Sequence, residues 1–146
     1  MSWSSVSAEI TAQKIWEYTR RTLSVIRPSN NVLVSFTVER STTSTTATKL
    51  ISVKILHPGH YNACFELRTD NSNYGVYARI YRNGAALGTQ RSTTSVTYVS
   101  FCENLPFSAG DTLEIWGWTS NAAAACYVRN PTLKGDPDFY YAQLDP

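Results

Sequence analysis

The sequence predicts an all-β fold: an antiparallel β-sandwich of jelly-roll type, with about eight strands, preceded by one N-terminal α-helix. Three observations carry this. Asn83-Gly84 sits inside Ala78-Arg79-Ile80-Tyr81-Arg82-Asn83-Gly84-Ala85-Ala86, and an Asn-Gly pair supplies the two positive φ values that a tight type I′ hairpin needs. Gly110-Asp111 makes a second turn that leads directly into the alternating run from Thr112 to Trp118. Val32, Val34, Phe36 and Val38 then alternate with Leu33, Ser35, Thr37 and Glu39, the period-two signature of a strand with one face buried.

The first element is a helix over residues 7–23. Ser7 is placed to cap it, Glu9 favours its first turn, and Ala8, Ala12, Ile15, Thr19 and Leu23 fall on one face. Pro28 blocks any continuation. Ile10, Ile15, Trp16 and Tyr18 give the helix more apolar bulk than one stripe requires, so it packs either across the sandwich or on a neighbouring molecule. Strands are expected from residue 31 onward, then over 49–56, 61–68, 75–82, 85–90, 95–103, 112–118 and 124–133, with residues 41–48 read as a connecting loop or frayed edge. Such spacing suits two packed antiparallel sheets. After Gly135 and Pro137 come three consecutive aromatics, Phe139, Tyr140 and Tyr141, an apolar cluster that marks a contact. The domain reading is therefore a helical attachment segment over 1–28, a β-sandwich over 29–134 and an aromatic tail over 135–146.

A chain of 146 residues fits one domain with a sizeable core. Its net charge is +2 and its arginines are scattered, which argues against nucleic acid as a partner. No apolar run approaches the length of a membrane span, and no secretory signal is read at the N-terminus, so the chain is expected to be made in the cytoplasm. Charged residues are 16 % of the chain, below the usual quarter, and Ser and Thr crowd residues 41–48 and 92–97, a composition suited to sheets and packed subunit contacts. Cys64, Cys102 and Cys126 are odd in number and lie in strand-like segments. Buried free thiols are the favoured reading, against a disulfide or zinc.

Little points to catalysis. His57-Pro58-Gly59-His60 spans a turn with no cysteine pair or carboxylate beside it, so no metal is expected there. Asp70-Asn71-Ser72-Asn73-Tyr74-Gly75 begins like a calcium loop, but the place of the bidentate Glu is taken by Tyr81. Glu66, Glu103, Asp111 and Glu114 are the acids a glycosidase would draw on, and nothing in the sequence pairs them; Asp111 is expected to bond backbone groups at its own turn. No catalytic residue, metal or cofactor is expected. The aromatics are the richer signal. Trp116 and Trp118 share one strand face, and Tyr77, Tyr81 and Tyr98 can join them. Core or subunit seam is the favoured reading of this cluster, and a glycan-stacking platform at Trp116 and Trp118 is the alternative.

The run Ile15-Trp16-Glu17-Tyr18-Thr19-Arg20-Arg21-Thr22-Leu23-Ser24 resembles a short Ile/Val-Trp-x-Tyr-x-x-Arg-Thr-Leu-Thr/Ser segment of tailed-bacteriophage virion proteins. The stretch from Ile80 to Gly84, with Gly88-Thr89 and Phe107-Ser108-Ala109-Gly110-Asp111-Thr112-Leu113-Glu114-Ile115, is similar to β-sandwich domains of phage appendages and, more loosely, to trimeric jelly rolls of the complement and tumour-necrosis-factor type. The resemblance implies a non-enzymatic structural protein of the virion, synthesised in the host cytoplasm and serving as capsid decoration, head fibre or tail component. Its implied partners are other capsid or tail subunits and copies of itself, a trimer being favoured. Ile10, Ile15, Trp16, Tyr18, Leu23, Phe139, Tyr140 and Tyr141 would form the assembly interface. A carbohydrate-binding module that recognises the host surface is the second reading, and a host-derived trimeric ligand domain the third. The chain lacks the repeats or heptads that a fibre shaft requires.

Overall fold

A computed structural model describes residues 24–139 and shows ten strands in two facing sheets, with no helix among the described residues. The strands are β1 (Ser24–Ser35), β2 (Glu39–Thr42), β3 (Thr48–Lys54), β4 (Gly59–Thr69), β5 (Val76–Arg82), β6 (Ala85–Ala86), β7 (Arg91–Thr93), β8 (Val99–Phe107), β9 (Thr112–Thr119) and β10 (Cys126–Phe139). The expected helix over 7–23, including Ile10, Ile15, Trp16, Tyr18 and Leu23, lies outside the described residues, as do Tyr140 and Tyr141. Phe139 is the last residue of β10.

One sheet has the order β2-β10-β1-β4-β8, with β10 also pairing β4; the other runs β3-β9-β5-β6, with β7 on β5. The turns form as their chemistry dictates. Asn83 and Gly84 have φ of 50° and 81°, and the β5–β6 hairpin closes with Arg82 opposite Ala85. Gly110 has φ of 88° ahead of β9. Alternation then sorts side chains between the faces. Val76, Ala78 and Ile80 of β5, Leu113 and Ile115 of β9, and Ile51, Val53 and Ile55 across the β3 edge meet Ala63, Phe65 and Leu67 of β4, Leu105 and Phe107 of β8, and Cys126 and Val128 of β10. Each such aliphatic side chain contributes about 1.5–3 kcal/mol relative to exposure. Gly117 is packed tightly: a Cβ there would lie 2.9 Å from both Cys126 Sγ of the facing sheet and Leu50 Cδ1, so glycine is what fits between Trp116 and Trp118.

Several expectations are corrected. Strand β1 already begins at Ser24 and passes through Pro28, within the segment assigned to attachment, while β10 continues to Phe139 into the assigned tail; Ser24 and Phe139 are partners, so the two ends of the described segment lie side by side. Of the expected buried face Val32, Val34, Phe36 and Val38, Val38 alone packs against the core, and the run Val32, Leu33, Val34, Phe36 is exposed. Register shifts at Arg27/Val32 and Val32/Val34 break its pleat, and these four side chains are 37–59 % exposed. Residues 41–48 divide between the two readings given for them: Ser41 and Thr42 end the edge strand β2 on Cys126–Arg129 of β10, and Ser44 and Thr46 then form a hydroxyl-bonded turn. The cysteines divide. Cys126 is a buried free thiol, as expected, and burial pushes its pKa up to about 12. Cys64 and Cys102 instead form a disulfide, because β4 and β8 pair them directly opposite with Cα atoms 4.1 Å apart.

Candidate functional site

The outer face of the second sheet carries the aromatic cluster, and its layout follows from strand register. Lys49 on β3, Trp116 on β9 and Arg79 on β5 stand in one row across three strands. Trp118 and Tyr77 form the next row, and Ser52, Glu114 and Tyr81 the row on the other side. Two ring pairs result. Tyr77 stacks on Trp118 with centroids 5.6 Å apart and planes at 20°, and Tyr81 stacks diagonally on Trp116 at 4.5 Å and 11°. All four rings are half-buried and none belongs to the core cluster. Of the core-or-seam expectation for Trp116 and Trp118, the core part is thereby corrected: Leu113, Ile115 and Thr119 take the inward positions of β9, and alternation turns the tryptophans outward. Tyr98 does not join them, since it lies over the other sheet.

Polar groups fix this face in place. The carboxylate of Glu114, only 5 % exposed, accepts hydrogen bonds from the Gly84 backbone N–H at 2.9 Å and from Trp116 Nε1 at 3.1 Å, and lies 3.8 Å from Lys49 Nζ. Trp116 is thus held at its ring and at its nitrogen. Arg79 Nε donates to the Gly88 carbonyl, which ties β5 to the segment after β6. At one end of the face, Asp111 accepts from Ser108 N at 2.7 Å and Asn83 Nδ2 at 2.9 Å, while Thr112 N donates to Asn83 Oδ1 at 2.8 Å. Two turns separated in sequence are clasped together, and these hydrogen bonds hold the Asp111 carboxyl below its usual range. Asp111 bonds backbone at its own turn, as its setting predicts.

The first sheet presents a different outer face. Arg68 lies 4.0 Å from the Tyr127 ring centroid and 5.2 Å from that of Tyr98, and Arg129 lies 3.8 Å from Tyr98 while bonding Glu66 at 2.7 Å. Desolvation, with the hydrogen bond from Tyr98 to Glu39, pushes the Tyr98 pKa up to about 12. This ladder binds β2, β4, β10 and the β7–β8 loop, and the sequence offered no sign of it, because its members span residues 39–129. A third surface lies beside the entry of β1. Leu33, Val34 and Phe36 face Leu56 and His57 across a cleft of about 320 Å³ with Ile26, Tyr61 and Leu133 at its floor. His57 offers its backbone carbonyl to the Tyr61 hydroxyl at 2.6 Å. Among the described residues no three His, Cys, Asp or Glu side chains converge as a metal set.

No protein-family model matches the chain, and no curated protein sequence matches it. Solved structures do. The CBM36-1 domain of a multidomain xylanase from the hindgut metagenome of Trinervitermes trinervoides superposes with a TM-score of 0.54 at 11 % identity, covering 77 % of this chain and 96 % of that one. Rabbit GITRL gives 0.35 at 16 % identity over 57 % and 75 %, and infectious bursal disease virus, Gx strain, gives 0.37 at 12 % over 84 % and 44 %. The first likeness supports the jelly-roll type of β-sandwich. At such identity it speaks to fold alone.

Proposed function

We propose that the chain is a non-enzymatic structural protein of a bacteriophage virion that acts through protein–protein contacts, with residues 1–23 and the adjoining end of the sandwich as its attachment surface. The observation that carries this reading is the apolar surface of Leu33, Val34, Phe36 and Leu56, 37–71 % exposed around one cleft that also reaches Ile26 near the start of β1. Scattered exposed leucines are ordinary; a cluster of this kind around a cleft marks a contact. The occupant is another subunit of the particle, either a copy of this chain, a trimer being favoured, or a capsid or tail protein. The phage-like Ile15-Trp16-Glu17-Tyr18 segment precedes this surface in sequence. The disulfide fits a protein made in the host cytoplasm that works after release into oxidising surroundings.

The test is incorporation. Trp16→Ala, and separately Leu33→Ser combined with Phe36→Ser, should remove the protein from purified particles while the soluble variants melt as the parent does. Particles that contain normal amounts of both variants would refute the reading. A second reading, recognition of a surface carbohydrate on the host, is favoured by the outward placement of Trp116 and Trp118 with Tyr77 and Tyr81, and by the fold shared with a carbohydrate-binding module. The two readings use different faces, so one protein can serve both.

A further inference from the structure

The aromatic face carries more positive than negative charge. The Lys49–Trp116–Arg79 row places a cation on each side of the tryptophan, and Lys54, opposite Thr112 on the same face, adds a third. Of the carboxylates on this face, Glu114 is buried and engaged by Gly84, Trp116 and Lys49, and Asp111 at one end is engaged by Ser108 and Asn83. Arg79 is the central group. Tyr77 and Tyr81 flank it two residues away on β5, Trp116 stands opposite, and its Nε is engaged by Gly88, which leaves the two terminal nitrogens without a hydrogen-bond partner among the described residues. A guanidinium fixed at Nε presents its outer edge as a two-pronged donor whose geometry matches a carboxylate or a phosphate.

We propose that this face binds an anionic polysaccharide, one bearing uronate carboxylates or backbone phosphates, with sugar faces against the tryptophan and tyrosine rings and the acidic group on Arg79. The proposal rests on the carbohydrate reading above and adds the charge class of its ligand. From Glu114 to Trp118 the strand advances about 13 Å at ~3.3 Å per residue, enough for a short run of linked sugars rather than a single one. Four rings in two stacked pairs suit the alternating apolar and polar faces of such a chain better than an extended peptide, whose backbone would find no free strand edge on the middle of a sheet.

Tryptophan fluorescence titrations of the full chain test this with polygalacturonate and poly(glycerol phosphate) as acidic polymers, dextran as the neutral one, and a single-stranded oligonucleotide as a polyanion without the sugar emphasis. Saturable binding to at least one acidic polymer is expected, weakening as salt rises and absent for dextran and the oligonucleotide. Arg79→Gln should weaken it about tenfold or more, and Lys54→Gln, at an exposed position that cannot threaten folding, by a smaller factor in the same direction. Equal, salt-independent binding of dextran that both variants retain would overturn the acidic assignment while leaving carbohydrate recognition standing. Failure to bind any of the polysaccharides would remove both, and equally tight binding of the oligonucleotide would replace the sugar with a generic polyanion.

Discussion

At the scale of single residues, context decides what a side chain does. Asp111 illustrates this through its clasp on Asn83 and Ser108. Its folded pKa lies below the ordinary carboxylate value of ~3.9, so the stability it contributes is fully present above that value and is lost as pH falls through it toward the folded one. Asp111→Asn should therefore lower the melting temperature at neutral pH and flatten its decline between pH ~5 and ~2; parallel curves for variant and parent would contradict the clasp. Trp118 gives the second case. Core aromatics cost about 3–5 kcal/mol when cut to alanine, whereas an outward ring losing one stacking partner should cost about 2 kcal/mol or less. Denaturant titration of Trp118→Ala distinguishes these, and a loss in the higher range would return the ring to the core. The tryptophans were legible as a same-face pair from their spacing, but which face is inward depends on the register of β9 against β3 and β5.

At the scale of elements, β8 is the edge strand of its sheet and pairs with β4 alone. The Cys64–Cys102 bond spans that pairing and closes a loop of 38 residues in sequence, one that includes all of β5, β6 and β7. A cross-link of this separation stabilises by about 3–4 kcal/mol, largely by restricting the unfolded chain. Reduction, or the double change Cys64→Ala with Cys102→Ala, should lower the denaturation midpoint correspondingly while Cys126 stays unreactive until the protein unfolds. An unchanged midpoint on full reduction would mean that the bond restrains nothing. Strand positions alone place Cys64 and Cys102 in two separate strand-like runs, but the pairing requires knowing that these two runs are adjacent and in register, which local sequence does not encode.

At the scale of the whole molecule, the topology is dominated by contacts distant in sequence: β1 and β2 pair with β10, and β3 pairs with β9. Closing such loops precedes the contacts that reward it, so the oxidised protein should refold in about milliseconds to seconds rather than microseconds. Stopped-flow refolding monitored by tryptophan fluorescence measures this, and a microsecond phase with full amplitude would be incompatible with the strand order. The sequence by itself determined the all-β class, the hairpin at Asn83-Gly84 and the turn at Gly110-Asp111, because turn dihedrals and period-two alternation are local properties of a few neighbouring residues. Only the tertiary structure decided that Val32 to Phe36 lie exposed at one end, that Trp116 and Trp118 face outward beside Lys49 and Arg79, that Arg68 and Arg129 sit on Tyr98 and Tyr127, and that Cys64 meets Cys102. Each of these follows from which strands become neighbours and in what register, and that is set by the burial of the common core rather than by any one segment.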